Sequence, residues 1–199
     1  MIKILGEFVQ NHLPDVETER LYLRERKVAD AADMFAYASL PEVATNAGFP
    51  LMKKVEEEEA FIQGIPLRMV QAGLPGGYGI TLKGENRVIG SVDFNRRHGK
   101  LGDIYEVGYV LHPDYWGQGL VPEAVKALCF VAFTLIPELY KIEIACHASN
   151  LQSQAVAKKS GFVLEARLRG RELLRGQRED ELRFGLLRSE WEELIDLNH

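Results

Sequence analysis

The chain has 199 residues, 46% of them hydrophobic, which is enough for one well-buried core and short for two. Its formal net charge of −5 and sequence pI of about 5.6 exclude the basic electrostatic footprint of a nucleic-acid-binding protein, and no apolar run approaches membrane-spanning length. Cys129 and Cys146 have no paired spacing, so neither a disulfide framework nor a zinc site is expected.

The predicted elements begin after a segment without a hydrophobic period. This segment lacks the apolar core of a signal peptide, so we treat residues 1–17 as an N-terminal extension, residues 18–199 as a single domain, and the protein as cytoplasmic. Residues 20–24 alternate as a strand. Asp30 is placed to cap a helix that ends before Pro41, and a second helix covers residues 55–70, where Pro66 is expected to kink or split it.

The rest of the chain alternates strands and helices. Strands are predicted at residues 78–82, 87–94 and 106–111, and a helix follows from Val121. A strand at 141–146 leads to a helix at 152–159, which Asn150 opens and Gly161 ends. Strands at 162–168 and 181–187 and a helical turn at 191–197 close the chain. Hairpin-like strands followed by a strand–helix–strand unit predict a mixed sheet with helices on both faces, an α+β fold.

The most informative motif is the junction between the strand at 106–111 and the helix that follows it. Gly117 and Gly119 lie in this turn, where glycines let backbone N–H groups approach a ligand. The unpaired N–H groups of the first helical turn lie at the positive end of the helix dipole. The spacing matches neither a Walker loop nor a dinucleotide fingerprint. A phosphate or diphosphate is the expected guest; the alternative is an ordinary tight turn.

Further motifs cover most of the chain between Thr18 and Trp191. They are Thr18-Glu19-Arg20-Leu21-x-Leu23-Arg24, Val88-Ile89-Gly90, Glu106-Val107-Gly108-Tyr109-Val110-Leu111-x-Pro113-x-Tyr115-Trp116-Gly117-x-Gly119, Lys141-Ile142-Glu143, Asn150-x-x-Ser153-x-Ala155-Val156-Ala157-x-x-x-Gly161-Phe162, and Gly176-x-x-x-Asp180-x-x-x-Phe184-x-Leu186. In this order and at these spacings, the sequence resembles the GNAT superfamily of acetyl-CoA-dependent N-acetyltransferases. Within it, the chain is similar to the branch that contains the ribosomal-protein N-terminal (Rim-type) acetyltransferases.

The resemblance implies the GNAT acyl-CoA N-acyltransferase fold, a mixed and mostly antiparallel sheet with a splayed central pair of strands. It implies acetyl-CoA as cosubstrate and no metal. In such a protein the end of the central strand binds the pantetheine arm, the glycine loop wraps the diphosphate, and the following helix start touches the coenzyme. The residues at these positions are Val110, Leu111, Trp116, Gly117, Gln118, Gly119, Leu120, Val121, Asn150 and Ser153. Val121 departs from the family, where a smaller residue is usual.

Acetyl transfer needs a neutral amine, a polarised thioester carbonyl and a proton for the leaving thiolate. Glu106, which shares a strand face with Gly108 and Val110, is our candidate base; the alternative is that it pairs with an arginine and braces the strand. Asp93 is a second, less favoured candidate. The backbone N–H of Val110 is expected to polarise the carbonyl.

The thiolate that leaves in acetyl transfer needs a proton donor. Many relatives use a tyrosine four residues before the Gly-Phe pair, but Ala157 stands there in this chain. The resemblance therefore places Ser153 as the donor. The alternative roles for Ser153 are helix capping or contact with the coenzyme, since a thiol with a pKa near ~8.5 leaves without much help.

The acceptor is only weakly specified by the sequence. A protein α-amine, with a pKa near ~8, is easier to neutralise than a lysine near ~10.4. An enzyme that acts on N-termini can therefore use a modest base, and the resemblance to the Rim-type branch implies an N-acetyltransferase that acts on the N-terminal amine of a ribosomal or other protein. The alternatives are an acetyltransferase of a small amine, such as an antibiotic, polyamine or amino-acid derivative, and a non-catalytic acyl-CoA-binding module. No nucleic-acid or membrane partner is expected, and a homodimer is a further expectation.

Two features are candidates for the acceptor side. The acidic run at residues 56–59 is interpreted as a solvated, dipole-matched helix start, with attraction of a cationic acceptor as the alternative. Tyr37, Phe49 and Tyr78 are candidates for an acceptor groove, and packing in the core is the alternative for each.

Overall fold

The structure, a computed structural model, describes residues 2–9, 12–174 and 176–196. Within them a nine-stranded sheet is formed, with strands β1 (Lys3–Leu5), β2 (Asp15–Glu17), β3 (Leu21–Arg24), β4 (Tyr78–Leu82), β5 (Val88–His98), β6 (Ile104–Leu111), β7 (Lys141–His147), β8 (Val163–Leu174) and β9 (Gln177–Leu187). Their spatial order is β1-β2-β3-β4-β5-β6-β7-β9-β8. Neighbouring strands are antiparallel except for β6 and β7, which are parallel.

Helices cover both faces of this sheet. They are α1 (Ala31–Ala38), α2 (Pro41–Ala47), α3 (Val55–Ala72), α4 (Leu120–Leu135), α5 (Leu151–Lys159) and α6 (Arg188–Asp196). A large apolar core forms around α4, and a smaller one forms around α1 and α3 on the opposite face. In the described residues, no helix combines the length and the apolar character that crossing a membrane requires.

The central parallel pair is joined over only a short distance. The register of β6 and β7 runs from Ile104 opposite Lys141 to Glu106 opposite Glu143 and includes no pair beyond these. The remaining five residues of β6 and four of β7 therefore leave facing edges without a ladder. This confirms the splayed central pair that the resemblance implies, and it opens the sheet beside the glycine turn.

Side-chain alternation along β6 decides what faces each side of this opening. Tyr105 and Val107 are buried in the core under α4, and Val110 packs against the cluster around α1. Glu106 shares the face of Val110. The strand thus presents its carboxylate away from α4, towards the side that α1, α2 and α3 cover.

Several elements differ from the sequence-based expectations. The segment interpreted as an extension contains β1 and β2, which add two antiparallel strands at the sheet edge; strands of three residues are too short to show a period. Pro41 ends the first helix as expected but also starts α2, because its missing N–H is tolerated at the first helical position. Pro66 lies inside α3 and does not split it.

The ends of other elements also shift. Asp30 precedes α1, but its carboxylate accepts the Lys27 N–H at 2.7 Å and binds Arg24, so it does not cap that helix. The strands β8 and β9 are longer than predicted, and α6 begins at Arg188 rather than Trp191. Leu197, the predicted end of that helix, lies outside the described residues.

Candidate active site

A cavity of about 540 Å³ opens where β6 and β7 separate. It collects almost all of the residues that the sequence assigned to coenzyme binding and catalysis. Those that line it are Glu106, Val110, Leu111, Trp116, Gly117, Gly119, Leu120, Val121, Asn150 and Ser153. Gln118 is the exception, because its side chain turns outward and donates to the Asp114 carbonyl at 3.2 Å.

The glycine turn presents backbone donors to this cavity. Gly117 and Gly119 both have φ of +75°, in the left-handed region that favours glycine, and Gly119 is the N-cap of α4. In the described chain, no partner is found for the N–H groups of Gly119, Leu120 or Val121. Free amides at a helix N-terminus, beside an open cavity, fit the diphosphate of a coenzyme.

The backbone N–H of Val110 points in a different direction from the one expected. The His112 N–H bonds to the Ile89 carbonyl at 2.8 Å, and Val110 lies opposite Ser91 two residues along the same ladder. Since hydrogen-bonded pairs recur every second residue, the N–H of Val110 points to β5. The prediction that this N–H polarises the thioester carbonyl is therefore wrong. The backbone of Tyr109 faces the opening instead.

Ser153 lies at the start of α5 and is held from two sides. Its N–H donates to the Asn150 side chain at 2.9 Å, which is the expected N-cap bond. Its hydroxyl lies 2.7 Å from the Tyr109 hydroxyl. Burial raises the pKa of Tyr109 and outweighs the opposing hydrogen bond with Ser153, so the phenol is neutral. The sequence did not reveal this pair, whose members are 44 positions apart.

Glu106 lies at the vertex of the opening, where it is ion-paired. Arg183 of β9 donates to Glu106 at 2.9 Å and to Glu181 at 2.7 Å, and lies 3.5 Å from Glu143. Glu106 is only 8% exposed. This arrangement matches the alternative interpretation in which Glu106 pairs with an arginine and braces the strand.

A second carboxylate reaches the cavity from the β8–β9 hairpin. The register between these strands shifts from Leu168 opposite Glu181 to Glu172 opposite Glu179, and such a bulge re-aims side chains. Glu172 is half-buried and lines the cavity. Across the described residues, no cationic side chain pairs with it. Glu172 was not predicted from the sequence, although Gly170, a strand glycine with a φ of +58° between Leu168 and Glu172, is a local signal for such a bulge.

The second candidate base, Asp93, and the three aromatic candidates for an acceptor groove do not line the cavity. Asp93 is bound bidentately by Arg26, with one contact of 2.9 Å, so it is not free to act as a base. Tyr37 and Tyr78 are each 1% exposed and belong to the two cores, and Phe49 packs against the core around α1. One wall of the cavity is formed instead by α2 and the glycine that ends it, through Val43, Asn46, Ala47 and Gly48.

The acidic run at the start of α3 is only partly solvated. Glu58 is 2% exposed, and burial raises its pKa, whereas Glu57 accepts the Lys53 N–H at 2.7 Å. None of the run lines the cavity. Over the part of the chain that the structure describes, no group of three or more His, Cys, Asp or Glu side chains is arranged to hold a metal ion.

The comparisons with known proteins agree with this geometry. The family profile of the acetyltransferase (GNAT) domain matches residues 20–163. The uncharacterized N-acetyltransferase p20 of Bacillus licheniformis is 32% identical over 174 residues, which cover 87% of this chain and 96% of p20. The ribosomal-protein-serine acetyltransferase of Escherichia coli (strain K12) is 35% identical over 96 residues, 48% of this chain and 52% of that protein.

A solved structure supports the fold assignment. RimL, a ribosomal L7/L12 alpha-N-protein acetyltransferase in complex with coenzyme A, has a TM-score of 0.73 to this chain at 22% sequence identity. The match covers 85% of this chain and 95% of RimL. At this identity the likeness concerns the fold alone.

Proposed function

Because this chain belongs to the GNAT acetyltransferase family and is an N-acetyltransferase, we propose that it moves the acetyl group of acetyl-CoA to the N-terminal α-amine of a protein, with a ribosomal protein as the first candidate. The observation that carries the proposal is the cavity in the split sheet. There, free amides of the α4 N-terminus and the open edge of β6 share one cavity with the carboxylates of Glu106 and Glu172. The cytoplasmic location, the homodimer and the single domain of residues 18–199 stay predictions.

Acetyl-CoA supplies an acetyl thioester, and the chain supplies the groups that hold it. We assign the diphosphate to the free N–H groups of Gly119, Leu120 and Val121, which lie at the positive end of α4. We assign the pantetheine arm to the open edge of β6, with the Tyr109 N–H as the donor to the thioester carbonyl. The Leu111 carbonyl already accepts the Trp116 indole N–H at 2.8 Å, which fixes Trp116 as a wall of the cavity.

Two carboxylates are candidates to accept the amine proton. Glu106, the candidate from the sequence, would have to release Arg183 in order to approach the amine. Glu172 lines the same cavity and has no such partner in the described residues. We therefore favour Glu172 as the base and assign Glu106 to bracing the vertex of the split.

Ser153 and Tyr109 form the proposed donor pair for the leaving thiolate. Ser153→Ala should lower kcat by about tenfold, a modest loss because a thiol with a pKa near ~8.5 leaves readily. Tyr109→Phe removes the hydroxyl that holds Ser153 and should lower kcat about three- to tenfold. Since the two hydroxyls are proposed to deliver the same proton to the thiolate, their losses should not multiply. The Ser153→Ala/Tyr109→Phe double variant should therefore be no slower than Ser153→Ala. A steady-state thiol-release assay measures each variant.

Tyr105→Phe is the matched control for Tyr109→Phe, because Tyr105 lies on the same strand and face but does not line the cavity. It should leave kcat unchanged. Losses that multiply in the Ser153→Ala/Tyr109→Phe double variant would show that the two hydroxyls act independently and would contradict the proposed pair.

The acceptor is tested most directly in a cell extract. Glu172, the cavity carboxylate without a cationic partner among the described residues, favours a basic acceptor, and an α-amine near pKa ~8 is the easiest protein amine to neutralise. Purified enzyme and isotopically labelled acetyl-CoA should therefore label protein N-termini, read by mass spectrometry of the extract. Label confined to small amines would replace the protein acceptor with a small-molecule one, and label on internal lysines would contradict the proposal.

A further inference from the structure

Arg20, which precedes β3, is bound to the outer side of the glycine turn. Its guanidinium donates to the Gln118 carbonyl at 2.8 Å and to the Gly119 carbonyl at 3.2 Å. A Cβ added at Gly119 would lie 3.7 Å from the same guanidinium. Arg20 does not line the cavity, whereas Gly119 and Leu120 do. Arg20 thus contacts the loop carbonyls without lining the cavity.

These two bonds determine where the loop amides point. In a planar trans peptide the C=O and the following N–H point in opposite directions. Fixing the Gln118 carbonyl on Arg20 therefore turns the Gly119 N–H away from Arg20, and fixing the Gly119 carbonyl does the same for the Leu120 N–H. Both amides are among the donors that we assign to the diphosphate. The same bonds keep two carbonyl oxygens away from an anionic ligand.

Arg20 is itself fixed by Glu123 of α4. The Arg20 Nε and backbone N–H donate to the two Glu123 oxygens at 2.7 and 2.9 Å, and Thr18 donates to Glu123 at 2.6 Å. Burial opposes ionisation of Glu123, but the hydrogen bonds from Thr18 and Arg20 hold its pKa below its usual range. The carboxylate is therefore charged at neutral pH and holds the guanidinium in one orientation.

We propose that Arg20 and Glu123 are positioning residues that aim the Gly119 and Leu120 amides at the coenzyme diphosphate without touching the coenzyme. The inference rests on the proposed coenzyme site. It differs from a direct role of Arg20 as a positive charge near the diphosphate. A direct charge would act better without Glu123, whereas a clamp needs both members.

The test uses Arg20→Gln, Arg20→Lys, Glu123→Gln and the Arg20→Gln/Glu123→Gln double variant, with CoA binding followed by isothermal titration calorimetry. Each single change should raise the Kd for CoA about 10- to 100-fold, and the double variant should be no weaker than Arg20→Gln. Arg20→Lys should not rescue binding, because a lysine lacks the planar fork that spans two carbonyls and a carboxylate. In the thiol-release assay, KM for acetyl-CoA should rise by the same factor while kcat stays within about twofold.

Arg24→Gln is the matched control. Arg24 lies in β3, four residues after Arg20, and makes an equivalent two-oxygen pair with Asp30 at 2.7 and 2.8 Å, and neither residue lines the cavity. This variant should lower Tm without changing the Kd for CoA. Wild-type protein that does not bind CoA would overturn the proposed coenzyme site. Wild-type binding with unchanged Kd in Arg20→Gln, or weakening in Arg20→Gln but not in Glu123→Gln, would overturn the clamp alone.

Discussion

Gly119→Val is expected to raise the Kd for CoA about 5- to 30-fold. The φ of +75° at Gly119 lies in a region that costs a residue with a side chain about 1–2 kcal/mol, and a β-branched residue is least tolerant of it. In the free protein, the valine variant relaxes this strain by rotating the loop. Binding CoA then requires the strained conformation again, so the cost is subtracted from the binding free energy. Isothermal titration calorimetry with CoA measures it.

Gly84→Val provides the matched control for this change. Gly84 has a φ of +85° and, like Gly119, no close neighbour that a Cβ would strike, but it lies in the turn between β4 and β5. Gly84→Val should lower the free energy of unfolding by about 1–2 kcal/mol, the cost of a side chain at positive φ. It should leave the Kd for CoA unchanged. Equal Kd values for the two variants and the wild type would contradict the assignment of the glycine turn to the diphosphate.

Glu172→Gln is expected to lower kcat by about 10²- to 10⁴-fold, the range typical of general-base removal. The amide keeps the size of the side chain and its hydrogen-bonding capacity but cannot accept the amine proton. Glu106→Gln should lower kcat by less than about tenfold, because Arg183 retains Glu181 and Glu143 as partners. Pre-steady-state measurement of acetyl transfer, with the acceptor found by mass spectrometry, separates the chemical step from product release.

Glu165→Gln is the control for the loss of one negative charge on β8. Glu165 pairs with Lys141 and does not line the cavity, so its replacement should leave kcat unchanged. The opposite pattern, a large loss in Glu106→Gln and none in Glu172→Gln, would restore Glu106 as the base. It would also mean that Arg183 moves when the acceptor binds.

The coenzyme end of the site was predictable because its signals are local. Gly117 and Gly119 indicate a turn before a helix, and Asn150 is an N-cap three residues before Ser153. Each of these features depends on a few neighbouring residues, and the structure brings them together in one cavity. The splayed sheet came from the resemblance rather than from any residue pattern.

The parts that were missed depend on distant neighbours. The Tyr109–Ser153 contact links a strand to a helix, and the position of Glu172 depends on a bulge in β8. Alternation along β6 predicts the side-chain faces correctly. It does not predict which backbone groups bond to β5, and for that reason the N–H of Val110 was assigned to the wrong edge.

The ion pair of Glu106 also depends on a residue that is distant in the sequence. Its partner Arg183 is 77 positions away on β9, so the sequence alone left both interpretations of Glu106 open. Short elements were missed for another reason, since β1 and β2 have three residues each and α2 has seven. Stretches of that length show no reliable hydrophobic period.

A crystal structure of the protein with bound CoA tests the central assignment most directly. In that structure we expect the two phosphates within hydrogen-bond distance of the Gly119, Leu120 and Val121 amides and the pantetheine arm along the open edge of β6. We also expect that Arg20 keeps its bonds to the outer side of the loop. Phosphates bound elsewhere, or β6 and β7 paired along their full length with the ligand absent, would contradict this assignment.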